Sequence, residues 1–193
     1  MRTIIQRDIL FPSLQKLYKI DFDNIKNGVS ERNICARLAL HIENTMREYD
    51  TINKTSHFKK YFADVEYNRM GNGELKKYEN SQHLPLYMVC DLLIQSRTHE
   101  PNYLAVEMKK KGNHENVEKD KERLMSMVSP SSPDSPHQCV HDTLVGTYIE
   151  YSPDLLKVIV FGNENGIGTE KEQFIWEISK EYDLILTNPI LLA

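Results

Sequence analysis

Apolar positions along the chain follow two rhythms. Residues 31–49 set Ile34, Cys35, Leu38, Ile42, Thr45, Met46 and Tyr49 at steps of three or four behind Ser30, an N-cap residue type, which predicts an amphipathic helix. A shorter helix is expected after Pro12, with Leu14, Leu17 and Tyr18 turned to the body. The helical spacing returns over residues 115–128, through Val117, Leu124 and Val128. Between these segments the period falls to two. Over 57–69, HFKKYFADVEYNR, Ala63, Val65 and Tyr67 alternate with Phe62, Asp64 and Glu66, a strand pattern that ends at the turn Gly71-Asn72-Gly73. Over 102–109, NYLAVEMK, Leu104, Val106 and Met108 alternate with Ala105, Glu107 and Lys109. The intervening run 86–95, LYMVCDLLIQ, is so apolar that it reads as one central strand covered on both faces, with Asp91 as its interruption.

The second half continues as strands. SPSSPDSPH at 129–137 resists regular structure and is expected to be a surface loop. Residues 144–151 and 155–161 read as two strands, followed by the turn-rich GNENGIG at 162–168. Residues 169–180 are expected to form a helix carrying Phe174, Ile175, Trp176 and Ile178, although FIWEI also alternates as a strand would. The closing LILTNPILLA is too apolar to trail in solvent and is expected to pack on the body. The pattern is that of an α/β fold, with helix, three strands and a second helix followed by further strands.

Composition narrows the class. The 193 residues are 40% hydrophobic, enough for a core, and fit a single domain over 1–193. Lys and Arg number 24 against 28 Asp and Glu, a formal charge of −4 that argues against a basic coat but not against a basic cleft. Cys35, Cys90 and Cys139 lie far apart without Cys-x-x-Cys spacing, so neither disulfides nor a zinc ribbon is expected, and a reducing cytoplasmic setting is. The longest apolar runs fall short of the roughly 20 residues of a bilayer-spanning helix, so no membrane association is expected.

Candidate chemistry concentrates at three residues. Asp91 interrupts an apolar strand, while Glu107 and Lys109 stand two apart on one face of the next. A lone charge in such surroundings is costly, so two carboxylates and an ammonium on neighbouring strands make sense as one shared polar site. Two converging carboxylates suit a hard divalent cation such as Mg²⁺ or Mn²⁺, with the lysine placed to orient water or offset negative charge in phosphodiester hydrolysis. Glu31, in the first turn of the long helix, is a further carboxylate at the edge of the same region. The histidines show no metal-ligand spacing, no phosphate-cradling glycine loop follows a strand, and no Ser/His/Asp set stands out.

The runs VCDLLIQSR, YLAVEMKKKGN and EKDKERL together resemble the PD-(D/E)xK, restriction-endonuclease-like nuclease superfamily. Asp91 matches the motif's aspartate, and Glu107 and Lys109 its E-x-K, while Cys90 stands where a proline is often found. Small members of the superfamily also carry a sequence like Glu66-Tyr67-Asn68-Arg69. The resemblance spans about residues 31–161. It implies a restriction-endonuclease-like core, a mixed central sheet flanked by helices in the order αβββαβ, with elaborations at both ends. It further implies a Mg²⁺- or Mn²⁺-dependent endonuclease acting on nucleic acid, DNA in preference to RNA, in the manner of enzymes that often work as homodimers. Glu31, Asp91, Glu107 and Lys109 would be the catalytic set, with metal held by Asp91 and Glu107. Arg69, Arg97 and Lys121 are candidates for contacts to phosphate. The competing reading is a catalytically inactive endonuclease-like domain that binds protein or nucleic acid.

Overall fold

The computed structural model describes residues 1–66, 75, 77–79, 84–87, 89–96, 100–131 and 140–191. The chain opens with a π-helical stretch, Ile4–Leu10, running into α1 (Phe11–Lys26) and then α2 (Glu31–Asn53). The expected short helix after Pro12 is therefore part of a longer assembly, but Leu14, Leu17 and Tyr18 are fully buried as its spacing requires. α2 runs four residues past its predicted end at 49; Ser30 caps it by accepting from the Asn33 N–H. At Asp21 the α1 backbone leaves helical geometry (φ −113°, ψ 17°). The buried Asp21 carboxylate there takes the Arg37 Nε at 2.7 Å and the His41 Nε2 at 2.6 Å, tying the bend to α2.

Strands β1 (Phe62–Val65), β4 (Leu92–Gln95), β5 (Leu104–Lys110), β6 (Val145–Tyr151), β7 (Leu155–Glu164), β8 (Ile167–Ile178) and β9 (Leu184–Leu191) form one mixed sheet in the spatial order β1-β4-β5-β6-β7-β8-β9. Among the described residues only β5 and β6 pair in parallel, joined by a crossover through α3 (Val117–Val128). β2 (Lys77–Glu79) and β3 (Pro85–Tyr87) make a separate hairpin. The sheet divides two apolar layers by simple alternation. Leu92, Ile94, Leu104, Val106 and Met108 pack with Ile34, Cys35, Leu38 and Ile42 on the α2 side. Leu93, Ala105, Tyr148 and Phe161 pack with Leu124, Met127 and Val128 on the α3 side. Helices thus flank a central mixed sheet on both faces, the arrangement the resemblance implies.

Three elements depart from the sequence reading. The single strand expected over 86–95 is broken: Leu86 and Tyr87 belong to β3, the exposed strand of the β2–β3 pair, and the main sheet is joined only at Leu92. Leu86 and Tyr87 are apolar in a strand beside the sheet, and a bend at Asp91 opens the run that joins it. The strand expected from His57 begins at Phe62, because the Asp50 carboxylate accepts the N–H groups of His57 and Phe58, both at 2.9 Å, and holds a turn with Phe58 buried. The helix expected over 169–180 is not formed: residues 169–178 make up the bulk of β8, pairing along β7 on one side and β9 on the other. The alternation in FIWEI won because Phe174 and Trp176, two apart, both reach the core. GNENGIG tightens into a two-residue hairpin turn at Asn165 and Gly166, both at positive φ (51° and 85°), so β7 and β8 extend into it. The end of the chain pairs on the body through β9 against β8, but Ile185 and Leu186 stay exposed, so the strand is held by its ladder rather than by the burial of apolar surface that was expected. Residues 71–73, most of the proline-rich loop and Cys139 lie outside the described residues. Among the described residues no helix is long and apolar enough to cross a membrane.

Candidate active site

β5 carries the centre of the site. Strand alternation turns Glu107 to the α3 side with Ala105, and Lys109 follows it on the same face. The antiparallel register pairs Leu92 with Val106; continued one step, it brings Asp91 opposite Glu107. Asp91 ends the ladder by side chain as well as by backbone. Its Oδ2 accepts the Met108 N–H at 2.7 Å, while its carbonyl accepts the Glu66 N–H at 3.1 Å and the Cys35 thiol at 3.2 Å. Those bonds explain why a charged residue stands at the mouth of an otherwise apolar strand: it satisfies the edge that the bend exposes.

α3 supplies the opposite wall. Its inward positions include Asp120, Leu124, Met127 and Val128, so a carboxylate lies on the apolar stripe. Arg123, one turn on, donates from Nε to Glu107 Oε1 at 2.6 Å and from Nη2 to Asp120 Oδ1 at 2.6 Å. Lys109 Nζ stands 3.3 Å from Asp120 Oδ2. The guanidinium also lies over the Tyr78 ring, 5.9 Å from its centroid, which ties the β2–β3 hairpin to the network. Carboxylates and cations therefore alternate: Glu107, Arg123, Asp120, Lys109.

Burial dominates the electrostatics. Glu107 is 1% exposed, and desolvation pushes its carboxyl up to about 8 against the pull of Arg123, with Asp91 and Asp120 adding to the rise. Asp91 is raised as well, first by desolvation and only partly relieved by the Met108 N–H and Lys109. Lys109 loses to desolvation but gains more from Asp120, Glu31 and Asp91, and ends above the usual lysine range. Arg123 is likewise driven up, as the charges of Glu107 and Asp120 outweigh its own desolvation. Burial also raises the Cys35 thiol, which keeps it a neutral donor to Asp91.

Among the residues singled out from the sequence, Asp91, Glu107 and Lys109 come together at one end of the β4–β5 pair, inside the sheet. Glu31 reaches the far end of β5, where its Oε1 accepts the Lys110 N–H and the Asn113 amide, each at 2.9 Å. It fixes the turn that follows Lys109. Lys121 stands apart, 3.5 Å from Glu118 and 3.9 Å from Glu170 on β8. Arg69 and Arg97 lie outside the described residues. Arg123 was not singled out by sequence reasoning, though its i,i+3 spacing from an inward Asp120 was the available signal.

Among the described residues no group of three or more His, Cys, Asp and Glu has a metal-holding arrangement. The donor set at Asp91 and Glu107 is nonetheless of the right kind for Mg²⁺ or Mn²⁺, which take hard oxygen ligands from one or two carboxylates and keep several waters. Comparison of the chain with protein-family models, with curated proteins and with solved structures finds no match.

Proposed function

We propose that this protein is a metal-dependent nuclease of the PD-(D/E)xK, restriction-endonuclease-like kind, hydrolysing phosphodiester bonds of nucleic acid, with DNA favoured over RNA. The observation that carries the reading is the meeting of Asp91 with the Glu107-x-Lys109 strand, marked by the 2.7 Å bond from Met108 N–H to Asp91 Oδ2. The resemblance of the three sequence runs supports it, and so does the order α2, β1, β4, β5, α3, β6, which gives αβββαβ when the β2–β3 hairpin is set aside.

In this reading Asp91 and Glu107 hold Mg²⁺ or Mn²⁺, which when bound acidifies water and offsets charge on the phosphoryl group. Lys109, one pleat beyond Glu107 and held by Asp120, presents its ammonium to the attacking water or a phosphate oxygen. Glu31 acts by fixing the Lys110 backbone, and with it the end of β5 that carries Lys109. A second copy of the chain would supply the second site that cutting two strands calls for.

Replacing Lys109 by Ala removes a half-buried ammonium without opening an apolar cavity. Mn²⁺-dependent cleavage of plasmid or oligonucleotide DNA by Lys109→Ala is expected to fall on the order of 100-fold or more. The circular dichroism spectrum should stay unchanged. Undiminished cleavage would overturn the assignment.

One observation favours a second reading. Arg123 already pairs with Glu107 at 2.6 Å and Lys109 stands 3.3 Å from Asp120, contacts that also fit an inactive endonuclease-like binding domain with a structural ion-pair network. Heat evolved on adding Mn²⁺ to the intact protein, lost in Asp91→Asn, selects the enzyme; absence of Mn²⁺ binding selects the second reading.

A further inference from the structure

The guanidinium of Arg123 occupies the seat between two buried carboxylates. It holds Glu107 Oε1 with Nε and Asp120 Oδ1 with Nη2, both at 2.6 Å, and its own side chain is 15% exposed. Glu107 and Asp120 are 1% and 4% exposed, so water does little to support the ionised form of either, and a resident cation has to. The same Glu107 carboxylate is the one offered to a divalent ion in the reading above. A metal and a guanidinium on one carboxylate would place like charges within a few ångströms in a dry site, which is strongly unfavourable.

We propose that Arg123 is a built-in countercation that gates the metal site: a divalent ion enters by displacing the guanidinium from Glu107, and Arg123 retreats onto Asp120 and the Tyr78 ring. The retreat is built into the surroundings. Asp120 lies one turn earlier on the same helix and bonds a different nitrogen of the fork, so that contact survives when Nε lets go. Tyr78 is buried beneath the guanidinium at 5.9 Å and offers its ring face to the displaced charge. Lys109 is already engaged with the other oxygen of Asp120, so Arg123 and Lys109 share that carboxylate in both states. Arg123 is a positioning residue here: it sets the affinity and order of metal entry through Glu107. The inference rests on the metal-site reading, and its test separates the two.

The experiment is calorimetric titration of the intact chain with Mn²⁺, comparing wild type with Arg123→Gln and Arg123→Lys, alongside thermal unfolding with and without the ion. Removing the competing charge is expected to tighten Mn²⁺ binding by about tenfold or more in Arg123→Gln. The metal-free variant should melt below wild type, since two buried carboxylates lose their partner, and Mn²⁺ should raise its midpoint by more than it raises that of wild type. Arg123→Lys, which cannot hold both carboxylates with a fork, should bind Mn²⁺ several-fold tighter than wild type and serves if Arg123→Gln does not fold. Adding Glu107→Gln to either variant should abolish the gain, locating it at this carboxylate. A merely supporting arginine would leave Mn²⁺ affinity unchanged or weaken it on removal. That result, with wild type still binding, overturns the gate and leaves the metal site standing. No binding to wild type or to either variant overturns the metal site and the gate together.

Discussion

At the scale of single residues, Glu107 shows what burial does to a carboxyl group. Its strand neighbours Ala105 and Val106 are sealed, and α3 closes the remaining side. Ionisation in that setting is opposed by desolvation more than Arg123 favours it, which lifts the group from 4.5 to about 8. A raised value means that the folded state holds the proton more tightly than the unfolded chain does. The resulting stabilisation is complete below about 4.5, fades as pH climbs from there, and is gone above about 8. Asp91 shifts in the same direction and adds to the trend. In EDTA, the urea midpoint of the protein is therefore expected to fall between pH 6 and pH 9, as followed by circular dichroism. Glu107→Gln, which cannot ionise, should flatten that decline; an identical decline in the variant would place its origin elsewhere.

At the scale of elements, α3 has to be held against the sheet closely enough for Arg123 to reach Glu107, and Gly168 is part of what allows it. This glycine lies at the start of β8 against the backbone of Met125, and a β-carbon built on it would fall on the Met125 carbonyl oxygen. Its N–H also donates to Ser129 Oγ at 3.0 Å, just past the end of α3. Gly168→Ala must push the helix off the strand and is expected to cost about 1 to 3 kcal/mol of stability. Denaturant titration measures this, and a cost near zero would show that α3 does not depend on the close approach. The contact also shows where sequence reasoning stops. Period-two alternation was enough to locate β5, and with it Glu107 and Lys109 on a shared face, because both sides of that strand are packed. It could not separate the β2–β3 hairpin from β4, since exposed Leu86 and Tyr87 look like the buried Leu92 and Leu93 to any local count. Arg123 stayed hidden for a related reason: an arginine on an amphipathic helix has an outward default, and only the long-range meeting of α3 with β5 turns it inward. The helix expected over 169–180 is a strand because its partners, β7 and β9, supply the hydrogen bonds that decide the matter, and no local spacing contains them.

At the scale of the whole molecule, the question is whether the terminal elements are appendages or part of the core. The N-terminal helices and the last strands meet around the chain's one tryptophan. Trp176 on β8 packs against Phe11 of α1, with ring centroids 5.1 Å apart and planes at 75°, and stacks with Phe174 at 5.5 Å. Gln6 reaches Glu172 on the same strand, and Leu184 N–H at the start of β9 donates to Gln15 Oε1 at 2.9 Å. The apolar layer that contains Trp176 also contains Leu38 of α2 and Val106 of β5, and so lies against the opposite face of the strand that carries Glu107. A layer shared in this way leaves no independent unit at either end to unfold first, and cooperative loss follows. Tryptophan fluorescence, which reports on the junction of α1 with β8, and far-ultraviolet circular dichroism, which reports on all elements, are expected to give coincident urea transitions. Phe11→Ala removes a partly buried ring and should move both to lower urea together, by an amount corresponding to about 2 kcal/mol. Had the ends been elaborations laid on an independent core over residues 31–161, the fluorescence transition alone would shift and precede the other. That separation of the two curves is the result that would refute a single cooperative unit.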